Sequence, residues 1–121
     1  MKHKKDKKEF HRTGDQRKAL FKALLTGLIM EEKIKTTEAK AKETKKRIDR
    51  IINKAKKIKN EKTKLAAIRD LKKVFSQAVI KKLSGEFINQ FSDRQSGYAR
   101  VIKLGRRKSD GAEMAVVEFV K

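Results

Sequence analysis

The side chains able to do chemistry in this sequence are nearly all of one kind, ammonium and guanidinium groups. Lys2, Lys4, Lys5, Lys7, Lys8 and Arg12 crowd the first twelve residues against Asp6 and Glu9, a net +4. Arg106, Arg107 and Lys108 stand consecutively inside "GRRKSDGAE". Arg17, Lys18 and Lys22 recur at helical spacing, and residues 40–59 hold ten cations and two acids. Stacking like charges on one helix costs on the order of a few tenths of a kcal/mol per pair, which implies an external anion. Phosphate is the matching chemistry: lysine meets it as a point charge, arginine also as a planar fork.

Other chemistries are poorly provided for. No nucleophile–base pair, glycine-rich phosphate loop or pair of carboxylates in an apolar setting is present, so an enzyme is not expected. His3 and His11 have no partners for a metal site, and phosphate-adjacent roles suit them better. No cofactor is implied. Cysteine is absent. No apolar run approaches the 18 or so residues needed to cross a bilayer, and the opening segment lacks the apolar stretch of a secretory signal. The expected compartment is the cytoplasm.

The whole composition points the same way. Of 121 residues 41% are charged, against about 25% ordinarily. Lys and Arg outnumber Asp and Glu by 35 to 15, a surplus of 20. Such a surplus speaks about partners more than about fold. The length suits one domain with a tail.

The elements that must position these cations can be read from periodicity. Residues 1–14 carry neither hydrophobic period and are expected to form a basic irregular arm, with a single α+β domain at 15–121. Asp15 is the expected N-cap of a helix reaching about Glu32, with Leu20, Ala23, Leu24, Gly27 and Leu28 on one stripe and Phe21, Leu25 and Ile29 beside it. Ile34 between Lys33 and Lys35 reads as a very short strand. Thr36 or Thr37 then caps a helix opened by Glu38. Its apolar stripe is Ala41, Ile48, Ile51, Ile52, Ala55 and Ile58. Arg47, Arg50, Lys54 and Lys57 line another face, which either meets an anion or is simply solvated.

A third helix is expected near Lys62, burying Leu65, Ile68, Leu71, Val74 and Phe75. Ser76 offers a cap for a further helix through Val79, Ile80, Leu83 and Phe87; one bent helix or two both fit the pattern. "YARVIKL" and "MAVVEFV" are β-branched or aromatic-rich runs joined by nine residues, a long-looped hairpin with Ala115, Val117 and Phe119 facing the helices. Asp93 and Asp110 suit turn caps. Tyr98 reads either as a half-buried strand residue or as a ring that stacks on an exposed base.

Three stretches together resemble the bacterial large-subunit ribosomal protein seventeen family: "MKHKK" with "RTGDQRKALF", "IKTTEAKAKE", and "SGYARVIKLGRRKSDGAEMAVVEFV". The resemblance covers essentially the whole chain. It implies a two-layer α+β fold of helix, strand, three helices and β-hairpin, the small sheet packed on the helices. It also implies a structural component of the ribosome that binds large-subunit ribosomal RNA near the nascent-chain exit, beside neighbouring ribosomal proteins. Carried onto this sequence, the RNA-binding set is Lys2, His3, Lys4, Lys5, Lys7, Lys8, His11, Arg12, Thr13, Arg17, Lys18, Lys22, Lys35, Thr36, Lys40, Arg94, Tyr98, Arg100, Arg106, Arg107 and Lys108. The family usually has His where Gln16 stands, Asn where Ala23 stands, and Gly-Pro where Ile88 and Asn89 stand. With 26 Lys and 9 Arg, the affinity is expected to spread over many weak contacts.

Two further classes compete with that reading. A non-specific DNA-compacting protein would use the same charge. An amphipathic protein docking on anionic membrane would not need the hairpin.

Overall fold

The computed structural model describes residues 13–120, and its first element opens at Thr13. The Thr13 hydroxyl accepts the Gln16 N–H at 3.3 Å, and Gln16 Oε1 accepts the Thr13 N–H at 3.2 Å. This capping box satisfies two otherwise orphaned donors and starts helix α1, Gly14–Glu31. Thr13 is therefore the cap, not the expected Asp15, which lies in the first turn and complements the helix dipole. Thr13 thus caps α1 and Gly14 is its first residue, and the rest of the expected basic arm, residues 1–12, lies outside the described residues.

Helix α1 buries Phe21, Leu25, Leu28 and Ile29. The expected stripe is rotated: Leu20, Leu24 and Gly27 are half-buried and Ala23 is exposed. An apolar surface wider than half the circumference leaves the choice of face to the packing partners, and the bulkier side turns inward. At Gly27 an added Cβ would sit 3.4 Å from the Ile34 side chain, the near limit of ordinary van der Waals contact, so α1 and the next strand approach closely here. Between the two lies Glu32, with φ +67° and its N–H on the Leu28 carbonyl at 2.7 Å. Lys82 secures this turn from a distant helix, donating to the Met30 carbonyl at 3.0 Å and to the Glu32 carboxylate at 2.9 Å.

Strand β1, Lys33–Thr37, leads into helix α2, Glu38–Lys56, which ends in a 3-10 turn at Lys57–Lys59. Ala41, Ile48, Ile52 and Ala55 of α2 are buried, with Ile58 just beyond, as the periodicity predicts. The sequence pattern passes over Thr44, which is wholly buried and donates its hydroxyl to the Lys40 carbonyl at 2.7 Å. Helix α3, Lys64–Lys72, and helix α4, Gln77–Ser84, are separate, joined through Ser76. In α3 the buried residues are Ala67 and Leu71, continued by Phe75 at the same i,i+4 step, with Ile68 partly buried. Leu65 is 72% exposed and Val74 is exposed, so two of the five expected contacts do not form. The helix is only nine residues long, and its inward line is the 67–71–75 row.

Helix α4 ends at Ser84, earlier than expected, and a 3-10 segment at Glu86–Phe91 carries Ile88 and Phe91 into the core. Phe87 sits edge-on to Phe91 and to Phe119 at 5.4 and 5.2 Å between ring centroids, and Phe91 edge-on to Tyr98 at 5.4 Å. These are the favoured geometries for ring quadrupoles.

Strand β2, Ala99–Arg106, and strand β3, Glu113–Phe119, form the hairpin. The strands run further toward the tip than expected, because Gly105 lies within β2 at a bulge: Lys103 pairs with Ala115, Gly105 with Met114, and φ at Gly105 is +97°. Strand β1 adds antiparallel to β3, giving the order β1-β3-β2. Ala115, Val117 and Phe119 are buried as expected, with α2 lying along β2 and β3. The result is an α+β fold of two layers, helices over one face of a three-stranded sheet.

Candidate nucleic-acid interface

Among the described residues no helix covers the sheet's second face, and alternation fixes which residues it presents. Across the three strands Lys33 stands level with Glu118 and Arg100, and Lys35 with Val116 and Ile102. Lys33, Lys35, Arg100 and Ile102 are exposed. The fold thus gathers two expected contacts, Lys35 and Arg100, on one surface and adds Lys33. Thr36, on the opposite side of β1, is half-buried.

Arg100 is engaged within the chain. Its Nε and Nη2 donate to Glu118 Oε2 at 2.9 and 2.6 Å across the β2–β3 pair. At the hairpin tip Arg107 is held similarly, Nε to Asp110 Oδ1 at 3.0 Å and Nη2 to Oδ2 at 2.7 Å. Asp110 also accepts the Ala112 N–H at 3.1 Å, as a turn cap should. The Arg107 hydrogen bonds and the Ala112 N–H draw the Asp110 carboxyl down to about 2, and the same pair raises the Arg107 guanidinium above its ordinary value. Backbone bonds from the Arg107 N–H to the Ala112 carbonyl and from the Gly111 N–H to the Arg107 carbonyl close the loop. Arg107 therefore organises the loop, leaving its neighbours Arg106 and Lys108 exposed beside it.

Tyr98 needs correcting as an RNA contact. Its ring is wholly buried, so no face is open for a base to stack on. The hydroxyl meets Asn53 Oδ1 and the Arg94 carbonyl at 3.0 Å, and accepts from Lys56 Nζ at 2.9 Å. Lys56 Nζ also donates to the Arg94 carbonyl and lies 4.7 Å from the Tyr98 ring centroid. A buried phenol must find polar partners, and here they converge from α2 and the segment before β2. Arg94 itself is exposed, its backbone fixed by this network.

On α1, Lys18 and Lys22 are exposed one turn apart, Arg17 is half-buried near the capped end, and the Thr13 hydroxyl is committed to Gln16. Lys40, in the first turn of α2, is half-buried. Lys2, His3, Lys4, Lys5, Lys7, Lys8, His11 and Arg12 lie outside the described residues.

The second face of α2 divides. Arg47 Nε pairs with Glu43 at 3.0 Å while its guanidinium covers the Phe21 ring at 4.1 Å, which fits it for sealing the core edge. Lys54 reaches Asp70 on α3 at 3.5 Å. Arg50 and Lys57 are exposed. What sequence reasoning passed over is a different row, Lys42, Lys45 and Lys46, whose i, i+3, i+4 spacing was visible.

The family model for ribosomal protein L17 matches residues 20–120. Among curated relatives, the large ribosomal subunit protein bL17 of Staphylococcus carnosus is 42% identical, over 90% of this chain and 94% of the relative. The bL17 proteins of Staphylococcus epidermidis and Staphylococcus aureus are 38% and 37% identical over the same shares. A match of that extent, from the middle of α1 through the later helices, the sheet and the basic hairpin, places the chain in the ribosomal protein L17 family.

Proposed function

We propose that this chain is a structural constituent of the large ribosomal subunit. It binds ribosomal RNA through the 1–12 segment, the exposed α1 lysines and the hairpin tip, on the nascent-chain exit side. The observation that carries the RNA-binding part is the surplus of 20 positive charges in a chain whose relatives are large-subunit proteins. Exposed cations outside the ion pairs of the described residues, among them Lys18, Lys22, Arg106 and Lys108, are available to phosphate. Selectivity comes from the separation of the contact elements, because lysine-rich surfaces neutralise phosphate without reading base edges. Neighbouring large-subunit proteins become partners in the assembled particle, and the compartment is the cytoplasm.

The test is sedimentation of a tagged chain from cells, followed by crosslink mapping on purified large subunits. The expected result is co-sedimentation with the large subunit and crosslinks confined to a few RNA segments. Recovery at the top of the gradient, or equal retention by duplex DNA of arbitrary sequence, would overturn the reading in favour of a DNA-compacting protein.

A further inference from the structure

Between α2 and the start of the hairpin lies a cleft of about 570 Å³, lined by Lys42, Lys45, Lys46, Asp49, Gly97, Val101 and Lys103. That volume falls within the roughly 300–1,000 Å³ of ligand-sized sites. Three of its four lysines come from one α2 face at i, i+3 and i+4, and Lys103 faces them from β2, so the two cationic walls belong to different elements.

The two acids nearby, Asp49 and Glu38, offset only part of the charge of the four lysines. Asp49 spends both carboxylate oxygens on backbone donors, Oδ2 on the Gly97 N–H and Oδ1 on the Tyr98 N–H, each at 3.2 Å. Glu38 is shared, at 3.2 Å from Lys42 and 3.9 Å from Lys103. Among the described residues no acid comes within ion-pair distance of Lys45 or Lys46. Three like charges on one helix face repel each other, and a concave low-dielectric wall focuses their field outward. An anion that bridges both walls would remove that repulsion; a run of phosphodiesters bridges better than a single anion.

We propose that this cleft is a second ribosomal-RNA backbone site, seating a short phosphodiester run between α2 and β2. It rests on the proposed RNA binding but uses none of the residues assigned to it. Val101, which also lines this cleft, offers apolar contact to a ribose.

The experiment uses the full chain and deproteinised large-subunit ribosomal RNA. Binding is measured against salt for the wild type, for K42Q/K45Q/K46Q/K103Q, and for K62Q/K64Q/K72Q/K73Q, which removes equal charge from exposed positions on and beside α3. Each lost phosphate contact lowers the log–log salt slope by about 0.7 to 0.9, so the cleft variant is expected to lose about three units and the control fewer than one. In parallel, acylation of lysines read by mass spectrometry should show Lys45 and Lys46 protected by the RNA in the unmutated protein, which keeps the test independent of any folding defect. Equal slopes for the two variants, or unprotected Lys45 and Lys46, would overturn the cleft while leaving RNA binding intact. Protection in whole large subunits but not by naked RNA would also overturn it, in favour of an acidic protein neighbour. A wild type without affinity for the RNA would remove both readings together.

Discussion

Asp49 and Tyr98 are 49 positions apart, yet the carboxylate of one accepts the backbone N–H of the other at 3.2 Å, and the Gly97 N–H as well. This clasp fixes the segment entering β2 to the middle of α2. Hydrogen bonds to a charged group are worth about 1.5–3 kcal/mol net, and two donors lose their partner together. Asp49→Ala is expected to destabilise the fold by about 2–3 kcal/mol in urea unfolding, with Asp49→Asn losing roughly half as much, since its amide oxygen can still serve one N–H. Equal stability of wild type and Asp49→Ala would show that the clasp is dispensable.

The buried hydroxyl of Tyr98 separates a packing role from base stacking. Tyr98→Phe keeps the ring among Phe91 and its neighbours but removes the contacts with Asn53, Arg94 and Lys56. The expected cost is about 1 kcal/mol of stability, with Lys56 retaining the Arg94 carbonyl. Affinity for ribosomal RNA should stay within about twofold; a tenfold loss at unchanged stability would restore Tyr98 as a direct contact.

Much of this was legible in the sequence, for identifiable reasons. The α2 stripe was read correctly because it is narrow, and Ala115, Val117 and Phe119 because strict alternation leaves one choice of face. Helix α1 misled because apolar residues wrap most of it, so only β1, α2 and α4 decide which side is inside. Leu65 looked like core because hydrophobicity does not announce that a helix is too short to bury its first turn. The pairing of β1 with β3 was invisible: five residues, four of them lysine or threonine, gave no sign of a long-range partner. For the candidate site, charge placed the cations but could not say which were already spent. Arg100 and Arg107 resemble free forks in sequence and are held by Glu118 and Asp110 in the fold.

Glu32 occupies left-handed backbone, where a side chain costs roughly 1 kcal/mol that glycine does not incur. Removing the side chain in two ways isolates that cost. Glu32→Ala and Glu32→Gly both lose the Lys82 pair, but only glycine relieves the backbone. The glycine variant is expected to be the more stable by about 1 kcal/mol in thermal or urea unfolding. The reverse order would mean that the turn is not held at positive φ in solution.

Asp110 titrates where its loop can be watched. With its folded carboxyl lowered to about 2 and an unfolded value of about 3.9, the pair with Arg107 supports the loop at all pH above the unfolded value. That support fades as pH falls through about 2. A carboxyl-carbon NMR titration should show Asp110 with a midpoint near 2, moving up toward the ordinary value in Arg107→Gln. The same substitution should loosen the tip, seen as faster amide exchange at Gly111 and Ala112, both tied to this loop's bonds. An unshifted Asp110 midpoint in the variant would show that Arg107 does not set it.

The 1–12 segment offers the sharpest division between folding and binding. Thr13 and Gln16 cap α1 by themselves, and the described core draws on no residue before Phe21. Deleting residues 2–12 is therefore expected to leave the melting temperature of the free protein within about 2 °C of the full chain's, a shift worth less than about 0.5 kcal/mol for a domain of this size. Binding should respond quite differently. Six cations leave with the segment, and if each meets a phosphate the salt slope falls by about four to five units. Extending the deletion through Gln16 removes the capping box as well, and should add a stability loss of about 1 kcal/mol with little further change in slope. A large drop in melting temperature on the first deletion would make residues 2–12 part of the fold. An unchanged salt slope would leave their charge without a phosphate partner, and the binding would then have to come from the helices and hairpin alone.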